Sequence, residues 1–249
     1  MVLYLAYKAP KDAKDRSLIP KRLRASGCVQ LRKSFWKVEE EKAGKVLMSL
    51  QKNRPVLLRR IREIRKPRLT KGAHGLGSLV IVMYGTTNEV KRQKIKTYLR
   101  KAPAIRLCRA VYAFCQKHSL FDKNRELIDA GMFSQLIEEA GVDVKVIPRA
   151  VIVNSNSVEP LLDETRERVQ NEFLGIVRCC EELYRKARGE DVHDIRGMLL
   201  KLKRRHLRAK KVAAFYEKWL KIDSSKSVMM SYRSLKQFYS LVSERAVIL

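Results

Sequence analysis

Side chains that could carry out catalysis are few in this 249-residue sequence, and they are scattered. The four histidines, which form no HExxH motif and no paired-His site, are His74, His118, His193 and His206. Cys108, Cys115 and His118 could supply three zinc ligands, but the two cysteines lie seven residues apart on one predicted strand, so their side chains point to opposite faces. We therefore predict no catalytic residue, no metal site and no cofactor.

The glycines between residues 72 and 77 do not form a phosphate-binding loop. Gly72, Gly75 and Gly77 follow no predicted strand, and no Lys-Ser or Lys-Thr pair follows them to reach a phosphate. The sequence favours a basic, glycine-containing linker over residues 66–78 instead.

Three carboxylates near the predicted ends of the first strands leave one catalytic alternative open. Asp12, Asp15 and Glu89 could hold a divalent metal in a nuclease site. That alternative predicts cleavage that requires the metal and is lost on Asp12→Ala or Glu89→Ala.

The strongest signal in the sequence is positive charge without compensation. Lys and Arg number 54 against 26 Asp and Glu, a net charge of +28. Residues 1–110 carry 29 basic and 7 acidic residues, residues 111–189 carry 11 and 13, and residues 190–249 carry 14 and 6. Because these cations alternate with Leu, Ile, Val and aromatic residues, they indicate a folded binding face for a polyanion, most commonly nucleic acid.

We expect phosphate contacts from four groups of cations. The first group is Lys21, Arg22, Arg24, Arg32 and Lys33. The second group is Arg59, Arg60, Arg62, Arg65, Lys66 and Arg68, a stretch in which Glu63 is the only acid between Lys42 and Val80. The third group is Lys91, Arg92, Lys94, Lys96, Arg100 and Lys101. The fourth group is Lys201, Lys203, Arg204, Arg205, Arg208, Lys210 and Lys211, which surround one predicted helix.

The elements that would position these cations occur twice, about 76 residues apart. An apolar run at residues 2–7, a basic helical stretch and a strand at 28–38 are followed by the same order at 79–84, 88–102 and 105–116. Trp36 and Tyr112 stand at matched strand positions, where they could stack on bases or pack in a core.

Local signals predict the boundaries of these elements. Asp15 is expected to cap a helix over residues 16–26. The apolar spacing of residues 54–66 and Pro55 would suit a helix, but a β-α-β-β-α-β unit requires a closing strand here, and we therefore predict a strand. In the second unit, Asp122 or Asn124 opens a helix that runs to Ala140, and residues 142–153 supply the closing strand.

Long helices follow from Val158 onward. The apolar spacing predicts one helix ending near Gly189, a second over residues 192–220 with His206 facing inward, and a shorter last helix. We expect the first two to form an antiparallel hairpin. The predicted fold is α+β, with two tandem ferredoxin-like units at 1–65 and 79–154 and the helical hairpin with its C-terminal helix at 158–249.

The run from Val2 to Val38, especially its segment 22–36, resembles the start of the ferredoxin-like domain of the small CRISPR-adaptation protein family, a domain that also ends the phenylacetate-type repressors. Residues 79–224 more loosely resemble the N-terminal domain of the chromate-resistance regulators. The resemblance implies an internal pseudo-dimer that holds a nucleic-acid duplex on a basic surface. Nuclease members of the first family have an Asp after the first strand's Tyr, but Lys8 follows Tyr7 and Gly85 follows Tyr84.

We therefore predict a non-catalytic nucleic-acid-binding protein that acts in regulation or genome organisation and binds duplex DNA in preference to RNA. An RNA-binding ribonucleoprotein factor is a further alternative. Two copies could pair through the helical hairpin or the sheet faces. No apolar run reaches the roughly 18 to 20 residues that span a bilayer, and five cysteines, with Cys179 and Cys180 adjacent, do not suggest disulfides. We expect a cytoplasmic protein without a membrane partner, associated with the nucleoid if the source is prokaryotic.

Overall fold

The computed structural model describes residues 2–70, 73–85, 87–116, 126–186 and 192–248. Within these ranges the chain has an α+β fold with an eight-stranded antiparallel sheet, a two-stranded hairpin and seven α-helices. It divides into two compact units, residues 1–163 and residues 164–249.

The N-terminal unit contains every strand. Its first half comprises β1 (Val2–Ala6), α1 (Ala13–Ala25), β2 (Val29–Arg32), β3 (Phe35–Glu39), α2 (Glu40–Ser49) and β4 (Val56–Arg60). A hairpin of β5 (Arg68–Thr70) and β6 (Ala73–Gly75) follows. The second half comprises β7 (Leu79–Tyr84), α3 (Glu89–Leu99), β8 (Ala104–Cys108), β9 (Val111–Cys115), α4 (Ala130–Glu139) and β10 (Val144–Ile152).

The two halves have the same strand connectivity. The sheet order is β2-β3-β1-β4-β10-β7-β9-β8, so the last strand of each half forms the central antiparallel pair. Each half packs its two helices over its own apolar cluster, centred on Trp36 in the first half and on Phe133 in the second. Because β4 and β10 are hydrogen-bonded, the two halves share one sheet, whereas the sequence suggested units separated at residues 66–78.

The 76-residue spacing recurs in the strand register. Gln30 lies opposite Trp36 in the β2–β3 pair, and Arg106 lies opposite Tyr112 in the β8–β9 pair. Each ladder shifts register just after that point. The Tyr7 amide also donates to the Ser34 carbonyl at 3.1 Å, and the Tyr84 amide donates to the Ala110 carbonyl at the same distance.

The prediction of one long strand after the first helix of each half is wrong, because each of these segments forms a two-stranded hairpin. The chain turns at residues 33–34 and again at residues 109–110, where Ala110 has a φ of 61°. At Ala110 a left-handed residue ends the extended ladder, and alternation of polar and apolar residues reveals neither turn. Cys108 and Cys115 consequently lie on different strands, β8 and β9, and not on one.

Several helix and loop boundaries also differ from the predictions. Asp12, and not Asp15, caps α1, because its carboxylate accepts the Lys14 amide at 2.7 Å. The predicted linker contains β5 and β6, and its residues 71–72 lie outside the described ranges. The helix α4 begins at Ala130 after an Asp129 cap, whereas the predicted starts at Asp122 and Asn124 lie outside the described residues.

Other boundaries are confirmed. Residues 56–60 form a strand and not a helix, and β10 closes the second half with an irregular register between Ile147 and Ala150, on either side of Pro148.

The C-terminal unit is helical. It contains most of α5 (Val158–Lys186), all of α6 (Val192–Leu220) and α7 (Ser225–Ile248), which is shorter than α5 and α6, as expected. Arg168 on α5 donates a hydrogen bond to the Tyr216 hydroxyl on α6, and Cys179 Sγ lies 3.9 Å from Arg205 Nη1. Because the later residue of α5 meets the earlier residue of α6, the two helices run antiparallel. The helix α5 was predicted to end near Gly189, which lies outside the described residues. None of the helices described here is long and apolar enough to cross a membrane.

Candidate nucleic-acid interface

A cleft of about 550 Å³ opens in the second half of the N-terminal unit, beside the β8–β9 hairpin. Its walls carry six cationic side chains and two tyrosines. The cations are Arg32, Lys33, Arg92, Lys96, Arg106 and Arg109, and the tyrosines are Tyr84 and Tyr112. We call this set the basic cleft.

Three structural elements bring the cations of the basic cleft together. Arg92 and Lys96 are four residues apart on α3 and therefore lie on one helix face. Arg106 lies on β8, and Arg109 lies in the turn that follows. Arg32 at the end of β2 and Lys33 in the turn that follows extend from the first half into the same cleft.

An ion pair between the two halves fixes this last contribution. Arg32 Nη2 donates to Asp143 Oδ2 at 2.5 Å, and the two residues are 111 positions apart in the chain. Arg32 Nε is buried and has no hydrogen-bond partner among the described residues. Arg32 Nη1 donates to the Leu31 carbonyl at 3.3 Å, so the guanidinium is held by its own strand as well as by Asp143.

Only part of the cleft's charge is neutralised. Arg32 pairs with Asp143, and Arg92 pairs with Glu89 at 2.6 Å. The other four cations form no ion pair with any carboxylate in the described part of the chain; they are Lys33, Lys96, Arg106 and Arg109, all exposed. Four like charges around one concavity repel one another, so an anion that enters the cleft is bound favourably.

The aromatic wall of the cleft consists of Tyr84 and Tyr112, whose rings are nearly parallel. Their ring centroids are 6.2 Å apart and their planes differ by 7°. Tyr112 is buried in β9, whereas Tyr84 at the end of β7 is partly exposed. Burial and the neighbouring Tyr112 raise the pKa of the Tyr84 phenol, so Tyr84 stays uncharged at neutral pH and adds no negative charge to the site.

The matched positions in the first half are filled differently. Trp36 stands at the position of Tyr112 and is fully buried, and Leu23 stands at that of Leu99 and is 2% exposed. Pro20 and Gln30 stand where the second half has Lys96 and Arg106. Trp36 and Leu23 belong to the apolar core of the first half, whereas Pro20 is partly exposed and Gln30 is exposed.

Some of the sequence-predicted cations lie in the basic cleft and others do not. Arg32, Lys33, Arg92 and Lys96 line it. The cations exposed on other surfaces of the N-terminal unit are Lys21, Arg22, Arg24, Arg60, Arg62, Arg65, Arg68, Lys94 and Arg100, with Arg59 partly buried on β4. Arg24 lies 5.9 Å from the Trp36 ring, and Lys91 donates to the Gly141 carbonyl at 2.9 Å, which holds α3 against the end of α4.

The C-terminal group divides in the same way. Lys203 and Arg204 are exposed on α6, and Arg208 is partly buried. Arg205 instead donates to Glu172 Oε1 on α5 at 2.7 Å, and this hydrogen bond is the main cause of the raised pKa of its guanidinium. Arg205 therefore joins two helices of its own unit.

Three residues of the basic cleft were not among the predicted sites. Arg106, Arg109 and Tyr84 were treated as parts of strands, although the repeat places Arg109 in register with the predicted Lys33. The prediction that Trp36 could stack on bases is wrong, because its side chain is fully buried. Its matched residue Tyr112 is 7% exposed and so offers little of its ring to a ligand.

The carboxylates of the nuclease alternative have local structural roles. Asp12 caps α1, and Glu89 pairs with Arg92 and accepts a hydrogen bond from Gln93 at 2.8 Å. Across the described ranges, no group of three or more His, Cys, Asp and Glu side chains is arranged to hold a metal ion.

No protein-family model, curated protein or solved structure matches this chain.

Proposed function

We propose that this protein binds nucleic acid through contacts between its Lys and Arg side chains and the phosphate backbone, and that it does so without catalysing a reaction. The basic cleft is the observation that carries the proposal. It places six cations around one concavity and neutralises only two of them with carboxylates. A polyanion whose charges are regularly spaced is the partner that such a surface fits best.

The charge outside the cleft supports the same partner. Arg60, Arg62, Arg65 and Arg68 are exposed between the end of β4 and the start of β5 and extend the positive surface of the N-terminal unit. Contacts of this kind position a duplex without reading its sequence, and they suit a role in regulation or genome organisation. We propose duplex DNA, in preference to RNA, as the ligand of these cations outside the cleft.

The fold proposal is that each half of the eight-stranded sheet is a ferredoxin-like unit. The element order β-α-β-β-α-β in each half supports it, as does the strand order in which the fourth strand lies beside the first. The pairing of β4 with β10 would then join two units as a pseudo-dimer within one chain.

The experiment is fluorescence-anisotropy titration of the full chain with labelled duplex DNA, single-stranded DNA and structured RNA of equal phosphate number. We expect binding whose affinity falls linearly with salt on a double-logarithmic plot. A gel assay with magnesium on the same samples should show intact nucleic acid. No binding at moderate salt would contradict the proposal, and magnesium-dependent cleavage would contradict its non-catalytic part.

A further inference from the structure

We infer that the basic cleft takes an unpaired nucleotide, so that the protein binds a single-stranded stretch more tightly there than a blunt duplex. This inference rests on the proposed function and specifies the ligand of one site within it.

The size of the cleft supports a single nucleotide. Its volume of about 550 Å³ lies within the range of roughly 300 to 1,000 Å³ typical of pockets for small ligands. A duplex is far wider, since its major groove alone is about 12 Å across. Duplex phosphates can reach the rim of such a cleft, but only an unpaired nucleotide can enter it.

The aromatic wall supports a base. Tyr84 is partly exposed towards the cleft, and its ring is held parallel to the Tyr112 ring. A flat aromatic ring beside cations is the arrangement on which unpaired bases stack while their phosphates contact Lys and Arg. A base pair inside a duplex is covered on both faces by its neighbours and offers no such surface.

The donors around this wall are placed for phosphate. Lys96 on α3, Arg106 on β8 and Arg109 in the turn line the same cleft as Tyr84. Arg32 at the end of β2 and Lys33 in the turn after it add two further cations to the same cleft. An aromatic platform and several donors to one strand therefore share one cavity.

The first half of the sheet provides an internal comparison. At the matched positions, Trp36 and Leu23 are buried, and Pro20 and Gln30 replace the cations Lys96 and Arg106. The first half keeps cations at the positions of Arg92 and Arg109, as Arg16 and Lys33, but it has a buried indole in place of Tyr112 and no cation in place of Lys96 or Arg106. The second half combines the aromatic side chains with all four of these cations around one cleft, which is what a nucleotide requires.

The test compares a labelled 20-nucleotide single strand with a blunt duplex of the same sequence at one salt concentration. The proteins are the wild type, Tyr84→Leu, Tyr84→Phe, Lys96→Gln and the matched control Lys94→Gln on the same helix. Tyr84→Leu keeps an apolar side chain against Tyr112 but removes the aromatic face. Circular dichroism and thermal melting establish that each variant is folded.

We expect the wild type to prefer the single strand, and we expect Tyr84→Leu to weaken single-strand binding about 5- to 150-fold, with less than about a twofold change for the duplex. Tyr84→Phe should bind as the wild type does. If Tyr84→Leu does not fold, Lys96→Gln decides the matter, because it should weaken single-strand binding more than Lys94→Gln does.

Three results would overturn the inference, and they are distinguishable. Equal or tighter binding of the blunt duplex by the wild type would remove the nucleotide site and leave the proposed function standing. Folded Tyr84→Leu and Lys96→Gln proteins that bind the single strand as the wild type does would have the same consequence. Absence of binding to both ligands would remove the proposed function and the inference with it.

Discussion

Removing two of the uncompensated cations of the basic cleft should change how binding depends on salt. The double variant Arg106→Gln/Arg109→Gln changes two exposed side chains that line the cleft and form no ion pair with any described carboxylate. Both substitutions keep a long polar side chain, so the strands and the turn that carry them should be preserved.

The size of the effect follows from counterion release. Each phosphate contact contributes about 0.7 to the slope of log affinity against log salt for a single strand and about 0.9 for a duplex. The four uncompensated cations would then contribute a slope of about −2.8 to −3.6, and the double variant should lose about 1.4 to 1.8 of it. Between 50 and 200 mM salt, the ratio of wild-type affinity to variant affinity should therefore fall by a factor of about 7 to 12.

The assay is anisotropy at five or more salt concentrations, with Lys94→Gln/Arg100→Gln as the control of equal charge change. Lys94 lies on α3 and Arg100 directly follows it; both are exposed, and neither lines the cleft. We expect the control to change the slope by less than about 0.5. Equal slope changes for the two double variants would refute the reasoning, because binding would then depend on total charge and not on the cleft.

Three further predictions concern stability. Burial and the neighbouring Lys210 lower the pKa of His206 from 6.5, and its Nδ1 lies 3.0 Å from the Ser231 hydroxyl. The folded protein therefore favours the neutral ring, which stabilises the helical unit above pH ~6.5. The melting temperature should fall as the pH drops below that value. Glu172→Gln removes the partly exposed partner of Arg205 and should destabilise the protein by about 1 kcal/mol in denaturant titrations. Gly77→Ala should cost more than about 1 kcal/mol, because Gly77 has a φ of 74° and a Cβ there would lie 2.7 Å from the Pro67 nitrogen.

Each of these has a matched control. His206→Gln should remove the added pH dependence; an unchanged pH profile would mean that another group titrates. Glu181→Gln alters an exposed carboxylate on the same helix as Glu172 and should have little effect, so equal losses would show that the Arg205 pair is not responsible. Gly44 lies inside α2 with open space around its Cβ position, so Gly44→Ala should stabilise by about 0.5 to 1 kcal/mol; a loss there comparable to that of Gly77→Ala would contradict the steric argument.

Patterns in the sequence predicted most elements but not their exact ends. Apolar runs identify β1 and β7, and helical periodicity identifies α5 and α6, because these signals are local and depend only on which residues alternate along the chain. The turns inside the β2–β3 and β8–β9 hairpins were missed, since Lys33-Ser34 and Arg109-Ala110 contain neither Gly nor Pro.

The sequence by itself indicates a basic protein with one unit present twice, because the net charge and the 76-residue spacing depend only on the order of the residues. Tertiary structure alone decided which cations meet. Arg32 reaches the cleft of the other half only because the sheet brings it to Asp143, 111 residues away, and Arg106 and Arg109 face Tyr84 only through the β7–β9–β8 register. Convergence of this kind depends on pairings between distant strands, which neighbouring residues do not encode.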